Sequence, residues 1–461
     1  MNQKQLVDIT NEQRDFFFTG ATKEIVFRVK QLNILKKAIE DNEEKILEAL
    51  KSDLGKPKTE AYVSEIAPTL QEIDYALKKI KLWAEPKKVS TPWILFPASS
   101  YIYQEPYGNV LIICPWNYPF GLLFSPLIGS IAAGNCSTVK PSEISSKSSR
   151  IIANIIRENF NSSYIAVVEG GAEETQMLLA QKFDYIFFTG GTHVGKIVME
   201  AAAKHLTPIT LELGGKSPCI VDEEVNIETT ARRIAWGKYF NAGQTCVAPD
   251  YLLAHKSIKN TLLENIKTVI KEFYGEDSLK NPDYARIINE KHFSRLSKLL
   301  NEGNIVIGGN TNPDDFYIAP TVIDNISWEN KIMQDEIFGP ILPVIEFENL
   351  DEIISILCKK PKPLALYFFS KNKSKQEKIL KETSAGGVSI NDVIAHIQNK
   401  DLPFGGVGDS GIGAYHGKAS FGTFSHKKSV IKRSFFYESK IKYPPYKTPL
   451  KYLKKILKII S

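Results

Sequence analysis

Three side chains in this sequence could carry chemistry on a carbonyl carbon. The first is Cys246, in FNAGQTCVAPD, Phe240 to Asp250. It sits among small and polar residues where a helical segment, TTARRIAWGKYF, ends. Sparse neighbours of this kind leave a planar substrate room to approach a thiol. A free cysteine is more often a small buried hydrophobe, and that reading suits Cys136, Cys219 and Cys358, each within or beside an apolar run. The second is Glu212, which closes the β-rich run ITLE before Gly214 and Gly215. It reads either as a solvated strand end or as a general base with space for a water beside it. The third is Asn117, in ICPWNYP, held between Pro115, Trp116 and Pro119. Such an Asn is either structural or a rigid amide donor to a developing oxyanion.

A thiol, a carboxylate and an amide spread over 130 residues of sequence need a scaffold that gathers them. The chain of 461 residues calls for more than one core. Residues 21–53 show helical periodicity, with Val26, Leu32, Leu35 and Ile39 at three- and four-residue steps. From about Gly108, short β-rich runs alternate with helical ones, first NVLIIC, STVKP, YIAVVEG and YIFFTG, then PCIVD, YLLAHK, PTVIDNI, LPVIEF, PLALYFF and GGVSIND. Alternation of this kind implies parallel sheets covered on both faces, an α/β fold. The aromatic, Pro-bearing stretch 82–108 separates the first helices from the sheet. It reads as an arm or bridging hairpin rather than as a core helix.

Composition narrows the function classes. With 43% apolar and 24% charged residues the chain is an ordinary globular sequence, and it has no apolar run long enough to span a bilayer. The first residues lack a signal-peptide pattern, so a cytoplasmic location is expected. Five scattered cysteines, never in a C-x-x-C pair, predict neither a disulfide framework nor a zinc site. The net charge of +6 belongs to the tail, because residues 430–461 carry +8 and leave the body at −2. That distribution offers no nucleic-acid groove. The tail LKYLKKILKIIS places Leu450, Leu453, Ile456, Leu457 and Ile460 on one helical face and four lysines on the other. Such a helix lies on an anionic membrane or packs on the body or a second subunit.

Two patterns mislead. GVGDSG, Gly406 to Gly411, matches G-x-G-x-x-G but does not open a βαβ unit early in a nucleotide fold. Its GDSG portion has the look of a protease serine without the His and Asp such a serine needs. A turn-rich loop is the better reading. His193, His416 and His426 show no metal-ligand spacing and read as structural.

ICPWNYP (113–119), VKPSE (139–143), FFTGGTHVGK (187–196), LELGGKSP (211–218), NAGQTC (241–246) and EIFGP (336–340) follow the order and spacing of the aldehyde dehydrogenase superfamily. LPFGGVGDSGIGAYHGKASFGTFSHKKS (402–429) and YPPY (443–446) resemble its class 3 and fatty-aldehyde branch. The resemblance runs from residue 53 nearly to the C-terminus. It implies two Rossmann-like parallel-sheet domains, an NAD(P)-binding one from 1–81 and 109–210 and a catalytic one from 211–390. Bridging and oligomerisation segments at 82–108 and 391–445 and the basic tail at 446–461 complete the chain. It implies Cys246 as nucleophile, Asn117 as oxyanion donor and Glu212 as general base. Lys140 and Glu143 match contacts to the adenosine ribose, Thr189 and the run Gly190, Gly191 and Gly195 the pyrophosphate loop, and Glu336 and Phe338 the nicotinamide end. Position 191 is Gly where many members have Ser. Tyr118, Leu122 and Phe124 would line an apolar entrance, which favours aromatic or medium- to long-chain aldehydes. NAD is the expected cofactor, since an acid such as Glu143 suits ribose hydroxyls, with NADP the second. A homodimer is expected, with no metal and no nucleic acid. The rival readings are a CoA-acylating relative, against which Glu212 argues, and a catalytically silent scaffold on the same fold.

Overall fold

The computed structural model describes residues 3–460; the side chains of residues 456, 457, 459 and 460 lie outside the described set. Residues 3–84 are mostly helical. The periodic stretch 21–53 breaks at Asn42 into Ile25–Asp41 and Glu43–Leu54. Leu32, Leu35 and Ile39 are fully buried, but Val26 is 81% exposed, on the opposite side of the helix from the face that packs. The helix Ala67–Ala84 continues into the stretch expected to be arm, and Trp83 is buried against the core. An indole with a Tyr75 and a Phe421 ring beside it packs better on a helix than on an exposed hairpin.

A six-stranded sheet follows. Its parallel strands are Asn109–Ile113, Cys136–Lys140, Ile165–Val167, Tyr185–Thr189 and Ile209–Glu212. Every residue of the first four is buried, as continuous apolar strands in a doubly covered sheet must be. Asn109–Ile113 pairs with Cys136–Lys140 on one side and Tyr185–Thr189 on the other. The strand order therefore reverses beside it, and the crevice at the strands' carboxyl ends opens there. Gly411–Ile412 adds an antiparallel edge, with Gly411 opposite Glu212.

The second sheet has seven strands and runs from the edge strand Asn304–Ile307 to the edge strand Gly387–Ile390, with Ile341–Phe347, Tyr251–His255 and Pro218–Val221 at its centre. The third is a three-stranded arm. Lys87–Val89 and Ala98–Pro106 form the hairpin expected within 82–108, and Ser425–Arg433 pairs with Ala98–Pro106 over nine residues. One large core cluster runs through both parallel sheets and their covering helices. Cys136 and Cys219 lie in it, as expected. Cys358 does not: it follows the helix Leu350–Leu357 at the surface, exposed, with its Sγ 3.1 Å from the Glu382 carbonyl oxygen.

Candidate active site

The ends of adjacent strands deliver most of the candidate residues. Asn117 follows Asn109–Ile113, Lys140 closes Cys136–Lys140, Thr189 closes Tyr185–Thr189 and Glu212 closes Ile209–Glu212. Thr189 and Glu212 are paired in the ladder. Four side chains, remote in sequence, thus face one crevice.

Cys246 is carried to that crevice by a strained turn. Asn241 and Ala242 have φ of 53° and 50°, followed by Gly243 at 72°. Two non-glycine residues in the left-handed region persist only where the surroundings fix them, and here they are fixed. The Glu60 carboxylate accepts from the Asn241 backbone N–H at 2.9 Å. Asn241 Nδ2 donates to the Asn117 carbonyl oxygen at 2.9 Å. Gln244 Nε2 donates to the Arg286 carbonyl oxygen at 2.9 Å, and its Oε1 accepts from the Ile288 N–H at 3.0 Å. A side chain at Gly243 would overlap the carbonyl oxygen of Gly339, so the turn packs directly on EIFGP. Asn117 Nδ2 donates to the Gln244 carbonyl oxygen at 3.0 Å. A carboxamide has two N–H groups, so the second is left for another acceptor beside Cys246.

The electrostatics are those of a resting site. Burial pushes the Cys246 thiol up to about 12, and Glu336 and Glu212 add repulsion, against the opposing pull of the Cys246 and Val247 backbone N–H groups. Burial holds the Glu212 carboxyl well above the usual carboxylate range. Neither of its oxygens has a hydrogen-bond partner, so it is not the solvated strand end that sequence alone allowed. Burial and then Asp250 push Glu336 up to about 8. Lys238 is also fully buried without a partner for its ammonium, and burial lowers it to about 8. The thiol and the carboxyls of Glu212 and Glu336 are electrostatic neighbours.

At the strand ends on the other side, Lys140 is 3% exposed and pairs with the half-exposed Glu143 at 3.0 Å. It is not the surface lysine that an isolated strand-end position would suggest. The helix Thr192–Ala203 begins after Gly190 and Gly191, and no side chain caps its N-terminus. A Cβ at Gly191 would meet nothing within 4 Å, whereas one at Gly195 would lie 2.7 Å from Leu213. Gly195 is therefore needed for close helix–strand packing, while Gly191 leaves open space in front of free N–H groups. The Thr189 hydroxyl is buried and unpartnered. Phe338, at φ 50°, stacks edge-on against Trp116 at 5.4 Å, beside the Asn117 loop.

Cys246 lies on the wall of a cavity of about 620 Å³. Tyr118 and Leu122 also line it. Phe124 does not: it is fully buried in the core and packs on Phe120 at 4.5 Å. On the helix Gly121–Ala133, Leu122 and Phe124 point about 200° apart at 100° per residue, so one lines the cavity and the other the core.

The sequence from residue 9 to 430 matches the model of the aldehyde dehydrogenase family. The chain belongs to the aldehyde dehydrogenase family. It is 52% identical to the 4,4'-diaponeurosporen-aldehyde dehydrogenase of Staphylococcus aureus, over 97% of this chain and 98% of that protein. It is 48% identical to the dimeric NADP-preferring aldehyde dehydrogenase of Mus musculus, over 95% of this chain and 97% of that one. The solved substrate-bound state of Staphylococcus aureus AldH superposes with a TM-score of 0.96 at 51% identity, covering 99% of this chain and 100% of that one. The enzyme thus has the aldehyde dehydrogenase fold, and its reaction class is the oxidation of aldehydes.

In this aldehyde dehydrogenase the two misleading motifs have structural places. Ser410 is fully buried, and its hydroxyl closes its own turn by bonding Val407 at both N–H and C=O. Its carbonyl oxygen accepts from the Leu213 N–H at 3.1 Å, so the loop props the Glu212 strand. Among the described residues no cluster of His, Cys, Asp or Glu could hold a metal. Much of the cavity wall was not legible in the sequence: Trp236, Phe240, Ile394, Ile397, Phe404 and Tyr415. Their only signal was apolar character near the nucleophile turn and after the last strand of the second sheet.

Proposed function

We propose that the enzyme oxidises hydrophobic aldehydes, aromatic or medium- to long-chain aliphatic, to carboxylic acids with NAD(P) as hydride acceptor. The observation that carries this reading is the convergence of Asn117, Glu212 and Glu336 on a thiol in the wall of an aromatic cavity. Cys246 loses its proton to solvent and reacts as the thiolate. The sulfur attacks the aldehyde carbon, and the oxygen takes the electron pair. Asn117 Nδ2–H and the Cys246 backbone N–H hold that oxyanion. A bound nicotinamide would supply the hydride acceptor for the tetrahedral carbon, and Cys246 then carries the acyl group as a thioester. Glu212 then removes a proton from water, the hydroxide adds to the thioester carbon, and collapse expels the Cys246 thiolate and the acid.

The residues present fit such a dinucleotide. The uncapped N-terminus of Thr192–Ala203, opening beside Gly190 and Gly191 with Thr189 at the strand end, suits a pyrophosphate. Lys140 and Glu143 would hold the adenosine ribose, and Glu336 and Phe338 the nicotinamide end. Glu143 favours NAD; the mouse relative's name favours NADP. In this scheme 1–81 and 109–210 form the cofactor domain and 211–390 the catalytic domain.

We further propose a homodimer bridged by the arm and the residues after 391. Trp93, Phe96, Phe435 and Phe436 are strongly exposed there. The tail helix Leu450–Ile460 turns Leu450, Tyr452 and its lysines outward, with Leu453 half-buried. It would seat on the second subunit or on an anionic membrane surface, and liposome co-sedimentation with and without residues 448–461 separates the two. No helix among the described residues is long and apolar enough to cross a membrane.

The deciding measurement is reduced-cofactor formation with hexanal, a long-chain aldehyde and benzaldehyde, with NAD or NADP, with and without CoA. CoA-independent turnover that is lost in Cys246→Ala by at least about 10⁴-fold is the expected result. Turnover only with CoA would instead make the enzyme acylating, and turnover that survives in Cys246→Ala would assign the wrong nucleophile.

A further inference from the structure

An ion pair behind the oxyanion loop has no part in the scheme above. Lys56 and Glu65 are both wholly buried, with Nζ and Oε1 2.6 Å apart. A buried pair gains little over apolar residues of the same volume, so its use lies in what its remaining atoms hold. Glu65 Oε2 accepts from the Phe120 N–H at 2.9 Å and the Gly121 N–H at 3.2 Å, at the start of the helix Gly121–Ala133. Lys56 Nζ reaches the Asn117 carbonyl oxygen at 3.4 Å and lies 4.2 Å over the Tyr118 ring. That carbonyl oxygen is the one that Asn241 Nδ2 grips from the nucleophile turn. Glu65 sits in the π-helical turn Tyr62–Ile66, an irregularity found often at functional sites. The two charges therefore hold both ends of the loop Asn117–Gly121.

We infer that the Lys56–Glu65 pair is a positioning element for the reaction: it fixes the Asn117 peptide against the Cys246 turn and so aims the Asn117 amide at the oxyanion. The inference rests on the assignment of Asn117 as oxyanion donor. A pair that served stability alone would lower the amount of folded enzyme but leave turnover per folded molecule unchanged.

The test is a double-mutant cycle. The neutral variant Lys56→Met/Glu65→Met is made in wild-type and Asn117→Ala backgrounds, and kcat and KM for hexanal are measured with NAD beside thermal melting. Alkylation of Cys246 by iodoacetamide, which forms no oxyanion, is measured on each protein. The pair variant should lose about 30- to 100-fold in kcat, the scale of a misplaced catalytic group, with KM within about threefold. In the Asn117→Ala background the same replacement should cost less than about threefold, because the group it aims is gone. Alkylation should stay within about twofold. Glu65→Gln, a smaller change, enters the same cycle in case the neutral pair does not fold, and its loss should likewise vanish without Asn117. Equal losses in both backgrounds, an unchanged kcat, or alkylation falling in parallel with kcat would overturn the inference. Full activity in Asn117→Ala alone would overturn the oxyanion assignment itself.

Discussion

The two sides of the Cys246 thiol are built in opposite ways. On the Asn117 side nearly every polar atom is spoken for. Asn117, Asn241, Gln244, Glu60, Lys56 and Glu65 hold one another or nearby backbone, and the left-handed turn stays in place because of it. On the Glu212 side the polar atoms are left over. Both Glu212 oxygens and the Thr189 hydroxyl are buried without partners, and the N-terminus of Thr192–Ala203 has no cap. Buried polar groups ordinarily find partners. A site that saturates one wall and starves the other has fixed its geometry in the first and reserved the second for molecules that arrive. Under the proposed roles the oxyanion donor must be in place beforehand, since reorganisation during the reaction would cost rate, while the base waits for its water.

The contrast can be broken most severely on the starved side. Glu212→Gln removes the base but leaves the thiol and the donor, so one turnover's worth of reduced cofactor should appear and then stall. Steady-state kcat should fall by about 10²- to 10⁴-fold with that first burst intact, as rapid-mixing absorbance would record. A slow phase with no burst would place Glu212 in thiol activation alone.

The thiol between the two walls gives a sharper reading. Burial first, then the carboxylates of Glu336 and Glu212, raise Cys246 to about 12. A group raised this far is protonated across the neutral range, and its reactive thiolate grows with pH. Alkylation of the cofactor-free enzyme should therefore rise about tenfold per pH unit from pH 7 to 9, with no plateau. A plateau near pH 7 would mean that the resting site already stabilises the thiolate.

The saturated wall should fail by strain rather than by chemistry. Gly243→Ala adds a methyl in the left-handed region against the Gly339 carbonyl oxygen. It should lower stability by about 2–4 kcal/mol, read in a denaturant melt. Gly191→Ala, with open space around it, should leave the melt within about 0.5 kcal/mol. Equal effects at the two glycines would refute the distinction between the walls.

The same division decides what the sequence alone could reveal. Residues that a proposed chemistry confines to one type in one place stand out as short motifs, and the roles proposed for Asn117, Glu212, Cys246, Lys140 and Glu336 rest on such motifs. The alternating strands were legible, since burial on both faces forces continuous apolar runs. The supporting residues were not. Lys56 and Glu65 look like surface charges until the π-helical turn directs Glu65 inward. Trp236 and Tyr415 are ordinary aromatics until the topology brings elements 180 residues apart to one cavity. Phe124 failed as an entrance residue and Val26 as a core one for the same reason: both are apolar, but their angular position around the helix decides which side they face.

The arm carries a consequence of a different kind. Its ladder joins Ala98–Pro106 to Ser425–Arg433, and the salt bridge across it, Lys428 to Glu105, links residues 323 positions apart. A ribosome adding about 5–20 residues each second needs roughly 16–65 s to travel that far. Through that interval the strand Ala98–Pro106 has only the three-residue partner Lys87–Val89 and shows an open edge, the kind that recruits stray strands. The five parallel strands of the first sheet are thus made long before the arm can close, and until residues 425–433 emerge the strand Ala98–Pro106 keeps that open edge.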